Sequence, residues 1–192
     1  MSSSYRNSLN AWLNQLDVTA HTVLDIGGAQ EPLPSRVRSW QVDNYVIADL
    51  PQPHKDSPLP DIALDLNYFW NTQIDTNHMG MYDRIFCLEV FDYIFDPTMA
   101  LLNIKHLLAD GGTAWITFPS VYPAHQPIED DALRYMIGGI RKLMDHVGLQ
   151  IITEIPRHTE TNALYQAFLI ERMRCAKRVD HTISGWIIEV CR

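Results

Sequence analysis

Cysteine is scarce in this sequence. Three residues (Cys87, Cys175 and Cys191) in 192 are odd in number, widely spaced and without a Cys-x-x-Cys pair. A disulfide framework and a structural zinc site are therefore not expected, and a reducing, cytoplasmic setting is. The eight histidines show no His-Glu-x-x-His spacing, so the metal expectation is none. No apolar run approaches the roughly 20 residues of a membrane span, and residues 1–10 hold no apolar stretch of the kind a signal peptide needs. No membrane insertion is expected. Positive charge is also in short supply, with 15 basic against 23 acidic residues and a net charge of −8. A broad nucleic-acid face is not expected from that balance. The one basic cluster (Arg172, Arg174, Lys177 and Arg178) reads as a solvated helix face or an interaction patch. There is no internal repeat and no low-complexity linker.

What is present is ordinary globular material. Apolar residues make up 46% and charged residues 20%, which excludes a disordered or fibrous class. The length suits one domain over 1–192: an N-terminal helical region (1–20), a core (21–155) and a C-terminal helix and last strand (156–192). Leu9, Trp12, Leu13 and Leu16 recur at helical spacing. Short apolar strands are expected at 22–27, 45–49, 61–66, 82–88, 113–118, 149–155 and 183–190. Helices are expected from Pro97 to Leu108, over 130–147 and over 162–176. Pro97 suits a first helical turn. Asp110-Gly111-Gly112 reads as the turn that stops the first of these helices, and Gly148 stops the second. Strands alternating with helices predict a doubly wound α/β sheet with helices on both faces.

In such sheets ligands bind at the carboxyl ends of the strands. Those ends carry Asp25-Ile-Gly27-Gly28-Ala29, Asp49-Leu50, Asp65-Leu66-Asn67 and Leu88-Glu89. Glycines let a ligand approach the backbone. Asp49 lies 24 residues beyond Asp25, near the spacing at which a carboxylate grips ribose hydroxyls. Each residue also has a plainer reading. Gly27-Gly28 can be a simple strand-to-helix turn. Asp49 and Asp65 can be turn formers, Glu89 and Asp92 solvated loop acids, and Tyr93 and Trp70 partial core.

The order of these pieces resembles the class I S-adenosylmethionine-dependent methyltransferases, particularly the type 11 group. The likeness rests on Val23-Leu-Asp-Ile-Gly-Gly28, Ala48-Asp49, the run from Tyr82 to Pro97 ending its strand in Leu88-Glu89, and the run from Leu107 through Gly111-Gly112 to Phe118-Pro119. It covers roughly residues 20–155. It implies a seven-stranded, Rossmann-like sheet, mostly parallel, whose antiparallel last strand inserts between the fifth and sixth. It implies S-adenosyl-L-methionine as cofactor and methyl transfer to a small-molecule acceptor of small or medium size, by a monomer or homodimer.

It also implies roles. Gly27 and Gly28 would pass under the methionine part, and Asp49 would bind the ribose hydroxyls, with Asp25 and Leu50 also among the cofactor-binding residues. Asp65 and Leu66 would flank the adenine, and Leu88 and Glu89 would line the floor under the sulfonium. On the acceptor side, His125 in the loop after strand five is the candidate general base or orienting group, with Tyr93 and Tyr122 beside it. Arg134 is either an acceptor-binding group or the ion-pair partner of Asp130 or Asp131.

Two positions depart from the family pattern. Ala29 and Glu31 stand where two of three glycines are usual, and Tyr93 stands where a histidine is common. Glu31 would repel the cofactor carboxylate unless it pointed outward. Pro32 and Pro34 imply a short or irregular first helix with little dipole to offer. A non-catalytic partner protein on the same fold is therefore a second reading. A nicotinamide-dependent oxidoreductase is a third, and an all-parallel sheet would favour it.

Overall fold

The structure, a computed structural model, describes residues 4–52, 57–122, 124, 126–160 and 181–192. Seven strands form one sheet: β1 (Asp17–Ile26), β2 (Ser39–Asp49), β3 (Ile62–Ala63), β4 (Tyr82–Cys87), β5 (Leu108–Pro119), β6 (Gln150–Glu160) and β7 (His181–Cys191). Three helices accompany them: α1 (Ser4–Leu13), α2 (Pro97–Leu107) and α3 (Ile137–Val147). The strand order is β3-β2-β1-β4-β5-β7-β6. β1 to β5 pair in parallel. β7 runs antiparallel between β5 and β6. This is the expected inserted last strand, and it removes the all-parallel sheet of the nicotinamide reading.

The pleat sends successive residues to opposite faces. Leu24, Ile85 and Ile116 face α2 and α3, and pack with Leu101, Ile104 and Met144. Val23, Phe86 and Ile187 face the other way and pack with Leu9 and Leu13 of α1. Helices thus cover both faces. α2 starts cleanly because Asp96 accepts from the Met99 amide at 3.0 Å with Pro97 in the first turn. α3 ends at Gly148, whose φ of 68° is the left-handed conformation of a helix stop.

Several expected elements have other bounds. β1, β2, β6 and β7 are longer than expected. β1 extends back to Asp17, whose carboxylate is held by Arg38 and Ser39 at the start of β2. β3 is only two residues long, because Asp65 folds into a turn on Asn67 and takes the Gln73 side chain on its amide. Asp110-Gly111-Gly112 is not a separate turn but the start of β5, bulged where the pairing shifts between Tyr82 and Arg84. The helix expected from 130 begins only at Ile137. The Ala132 and Tyr135 amides go instead to the carbonyls of Asp92 and Pro119, which keeps that stretch extended. The short first helix is a single 3₁₀ turn at Leu33–Ser35. Two further 3₁₀ turns, Trp70–Thr72 and Thr76–His78, had no counterpart in the expectation. The helix expected over 162–176, with the basic cluster and Cys175, lies outside the described residues.

Candidate functional site

The strand order reverses between β1 and β4, so the chain leaves the sheet on opposite sides there and a crevice opens at their carboxyl ends. A cavity of about 570 Å³ occupies that crevice. Gly27, Asp49, Leu50, Asp65, Leu66, Leu88, Glu89, Tyr93 and Tyr122, all singled out in the sequence, line it.

Gly27 makes the turn out of β1. Its φ is 81°, its amide donates to the Ala48 carbonyl at 2.8 Å, and an added Cβ would lie 2.5 Å from Val90 Cγ2. Only glycine fits that approach. Asp49 ends β2 and faces the cavity. Its Oδ2 accepts from the Ala29 amide at 3.2 Å and its Oδ1 from the Leu50 amide at 2.8 Å. Those bonds fix the carboxylate and leave further lone pairs for a ligand.

Beyond Asp49, Leu50, Leu64, Leu66 and Ile94 make an apolar wall. It is held from behind by Asn103, a fully buried residue of α2. The Asn103 amide group donates to the Leu66 and Tyr68 carbonyls at 3.1 and 2.8 Å, and its oxygen accepts from the Trp70 amide at 3.0 Å. Asn67 joins this wall to the loop after β4, accepting from the Phe95 amide at 2.9 Å.

Glu89 forms the floor. Its φ is 59°, the one left-handed non-glycine residue among those described. Its amide donates to Thr117 Oγ1 at 2.7 Å, and that hydroxyl donates back to Oε1 at 3.1 Å. Arg157 of β6, whose side chain is 1% exposed, donates Nη1 to Oε1 at 2.5 Å and Nη2 to Oε2 at 3.3 Å. A buried guanidinium without such a partner would be costly.

Three residues expected at the site have other places. Asp25 and Gly28 sit under the turn rather than on the cavity wall. Asp25 is buried and accepts from Tyr45 Oη at 2.5 Å and from the Leu33 amide at 3.3 Å. Burial raises its pKa from 3.8 to about 6. Gly28 packs so closely on that carboxylate that a Cβ would stand 2.3 Å from Asp25 Oδ2. Arg134 braces the loop after β5: it pairs with both oxygens of Asp131 at 2.6 and 2.7 Å and donates to the Tyr122 carbonyl at 3.1 Å. Tyr93 donates its hydroxyl to the Gln126 carbonyl at 2.9 Å, and burial lifts its pKa to about 12. His125 lies outside the described residues.

Glu31 does line the cavity, but in company. Its Oε1 is 2.6 Å from Arg6 Nη1 and its Oε2 is 3.6 Å from Arg36 Nη2. The repulsion anticipated from Glu31 is offset by these two cations. Sequence reasoning missed both arginines and also Arg157. Each partner is distant in the chain, and no local spacing marks them. Among the described residues no group of three His, Cys, Asp or Glu side chains gathers to hold a metal. No described helix is long and apolar enough to cross a membrane.

A sequence family described as a methyltransferase domain matches residues 3–154. No individually curated protein matches the chain in sequence. Among solved structures, an S-adenosylmethionine-dependent methyltransferase from Mesorhizobium loti is similar, with a TM-score of 0.61 at 12% identity over 100% of this chain and 99% of that one. One from Archaeoglobus fulgidus has a TM-score of 0.61 at 10% identity, covering 98% and 92%. One from Clostridium acetobutylicum has a TM-score of 0.56 at 14% identity, covering 97% and 89%. At these identities the likeness speaks for the fold.

Proposed function

The chain belongs to the methyltransferase-domain family, and from that premise we propose that it moves a methyl group from S-adenosylmethionine to a small or medium-sized acceptor. The observation that carries this reading is the Asp49 carboxylate, fixed at the end of β2 and open to a cavity beside the Gly27 turn. A cavity of about 570 Å³ lies within the roughly 300–1,000 Å³ of small-molecule and cofactor sites.

The residues present fit the cofactor. Asp49 suits a ribose diol, the wall around Leu50, Asp65 and Leu66 suits an adenine, and Leu88 and Glu89 suit a cationic sulfonium. When bound, the cofactor supplies a methyl group already activated by that sulfonium. The chain's own task is to hold donor and nucleophile in line, which can lower a barrier by several kcal/mol. Glu89, held by Arg157 and Thr117, offers a carboxylate of set orientation at the floor. Tyr93, with a pKa of about 12, stays a phenol at neutral pH and acts as a hydrogen-bonding wall rather than a base. An acceptor with an acidic proton needs no base. An alcohol or amine needs one, and His125 is our choice for that role.

The test is calorimetric titration with S-adenosylmethionine and with S-adenosylhomocysteine, using NAD as control. Micromolar binding that is lost in Asp49→Ala supports the reading. No heat with either sulfur ligand at millimolar concentration, from folded protein, would turn it to a non-catalytic partner protein on this fold.

A further inference from the structure

We infer that Arg6, Glu31 and Arg36 form the subsite for the amino-acid tail of the nucleoside ligand, as a side-chain substitute for a glycine-rich turn and its helix. This rests on the methyltransferase reading above and adds residues to it. A carboxylate at the end of β1 is ordinarily served by backbone amides and by a helix N-terminus. Here no regular helix follows the turn, and three of its amides are spent within the fold. Pro32 and Pro34 leave a 3₁₀ turn of three residues in place of a helix. The amides of Gly27, Ala29 and Leu33 are turned inward, to the Ala48 carbonyl, Asp49 Oδ2 and Asp25 Oδ2.

Two guanidinium groups stand in the same place. Arg6 comes from α1 and meets one oxygen of Glu31, while Arg36 meets the other. Arg36 is set firmly: it donates to the Glu31 carbonyl at 3.1 Å and to Asn10 Oδ1 at 3.3 Å, and its side chain is 19% exposed. Arg6 and Glu31 are about half exposed and can adjust. A guanidinium has five donors, and two guanidinium groups stand against the single carboxylate of Glu31. A ligand α-carboxylate suits the arginines and an α-ammonium suits Glu31.

The charge layout orients the ligand too. Among the described residues lining the cavity, Arg6 and Arg36 are the only arginines or lysines, and they sit at the Gly27 end. Glu89 marks the floor and Asp65 the far wall. A nucleoside whose tail is zwitterionic therefore fits in one direction. The N-terminal helix is part of the site, because Arg6 is carried on it.

The experiment compares two nucleosides by calorimetry on the full chain. S-adenosylhomocysteine carries the amino-acid tail, and methylthioadenosine lacks it. The native protein should prefer S-adenosylhomocysteine by about tenfold or more, the scale of charge-assisted hydrogen bonds. Arg6→Ala and Arg36→Gln should each reduce that preference. The pair together should abolish it while methylthioadenosine binds as before, which also reports an intact fold. Glu31→Gln should erase the preference for S-adenosylhomocysteine over its deaminated analogue. Equal binding of both nucleosides to the native protein leaves the methyltransferase reading standing and overturns this subsite. So do arginine variants that weaken both ligands alike. If neither nucleoside binds the native protein, the methyltransferase reading falls and the subsite with it.

Discussion

Arg157 and Glu89 meet beneath the cavity at 2.5 Å, 68 residues apart in the chain. The pair ties β6 to the end of β4, and so links the C-terminal half of the sheet to the floor of the site. Glu89 is held there in a left-handed conformation that costs a non-glycine residue roughly 1–2 kcal/mol. Four hydrogen bonds, two with Thr117 and two from Arg157, keep it in place.

Arg157→Met should therefore destabilise the fold by about 2–3 kcal/mol in denaturant unfolding. That is below the range for a fully buried pair, because the Glu89 side chain keeps 27% exposure. Adding Glu89→Leu should restore most of the loss, since the lone carboxylate is the main penalty. A double variant as unstable as the single would contradict this account.

Asp49→Asn separates ligand binding from structure. The amide oxygen keeps the shorter bond, from the Leu50 amide, and loses the longer one from the Ala29 amide, so stability should fall by only about 1 kcal/mol. Affinity for S-adenosylhomocysteine should fall about tenfold or more, because a charged acceptor for the ribose hydroxyls is lost. Unchanged affinity would remove Asp49 from the site.

The pH dependence of stability should carry the mark of Asp25. Its carboxyl titrates at about 6 in the fold against 3.8 as the reference value, because burial disfavours the charge. Between those values the folded state binds the proton that the unfolded chain has already lost. Stability contributed by the neutral carboxyl is thus present at low pH and lost as pH rises through about 6, by up to about 3 kcal/mol. In Asp25→Asn the Tyr45 and Leu33 bonds can persist while this slope disappears. The difference between native and variant unfolding free energies across pH 4 to 7 is the quantity to measure, and parallel curves would refute the assignment.

Gly27→Ala should cost about 2 kcal/mol or more and weaken nucleoside binding. The φ of 81° alone accounts for part of that loss, and the 2.5 Å approach to Val90 for the rest. Val90→Ala in the same chain should recover the steric part and leave the backbone part. Full recovery would show that φ matters little there.

The sequence by itself determined the strand pattern, the carboxyl-end acids and the glycine turn. All three are local: an apolar run, a glycine that must take positive φ, an acid at the last strand position. Family likeness carried the placing of β7. Element bounds were less legible, because partners far along the chain draw them. Arg38 extends β1, and the carbonyls of Asp92 and Pro119 delay α3.

Only the tertiary structure decided which charges face one another. Asp25 and Glu89 are both strand-end acids, yet one lies under a turn beside Tyr45 and the other forms the cavity floor on Arg157. Glu31 reads in the sequence as a defect in a glycine motif, and in the fold it is the bridge between Arg6 and Arg36. The physical reason is the same in each case. A charge's meaning depends on burial and on a partner within a few ångströms, and both are set by packing between segments that no sequence spacing relates.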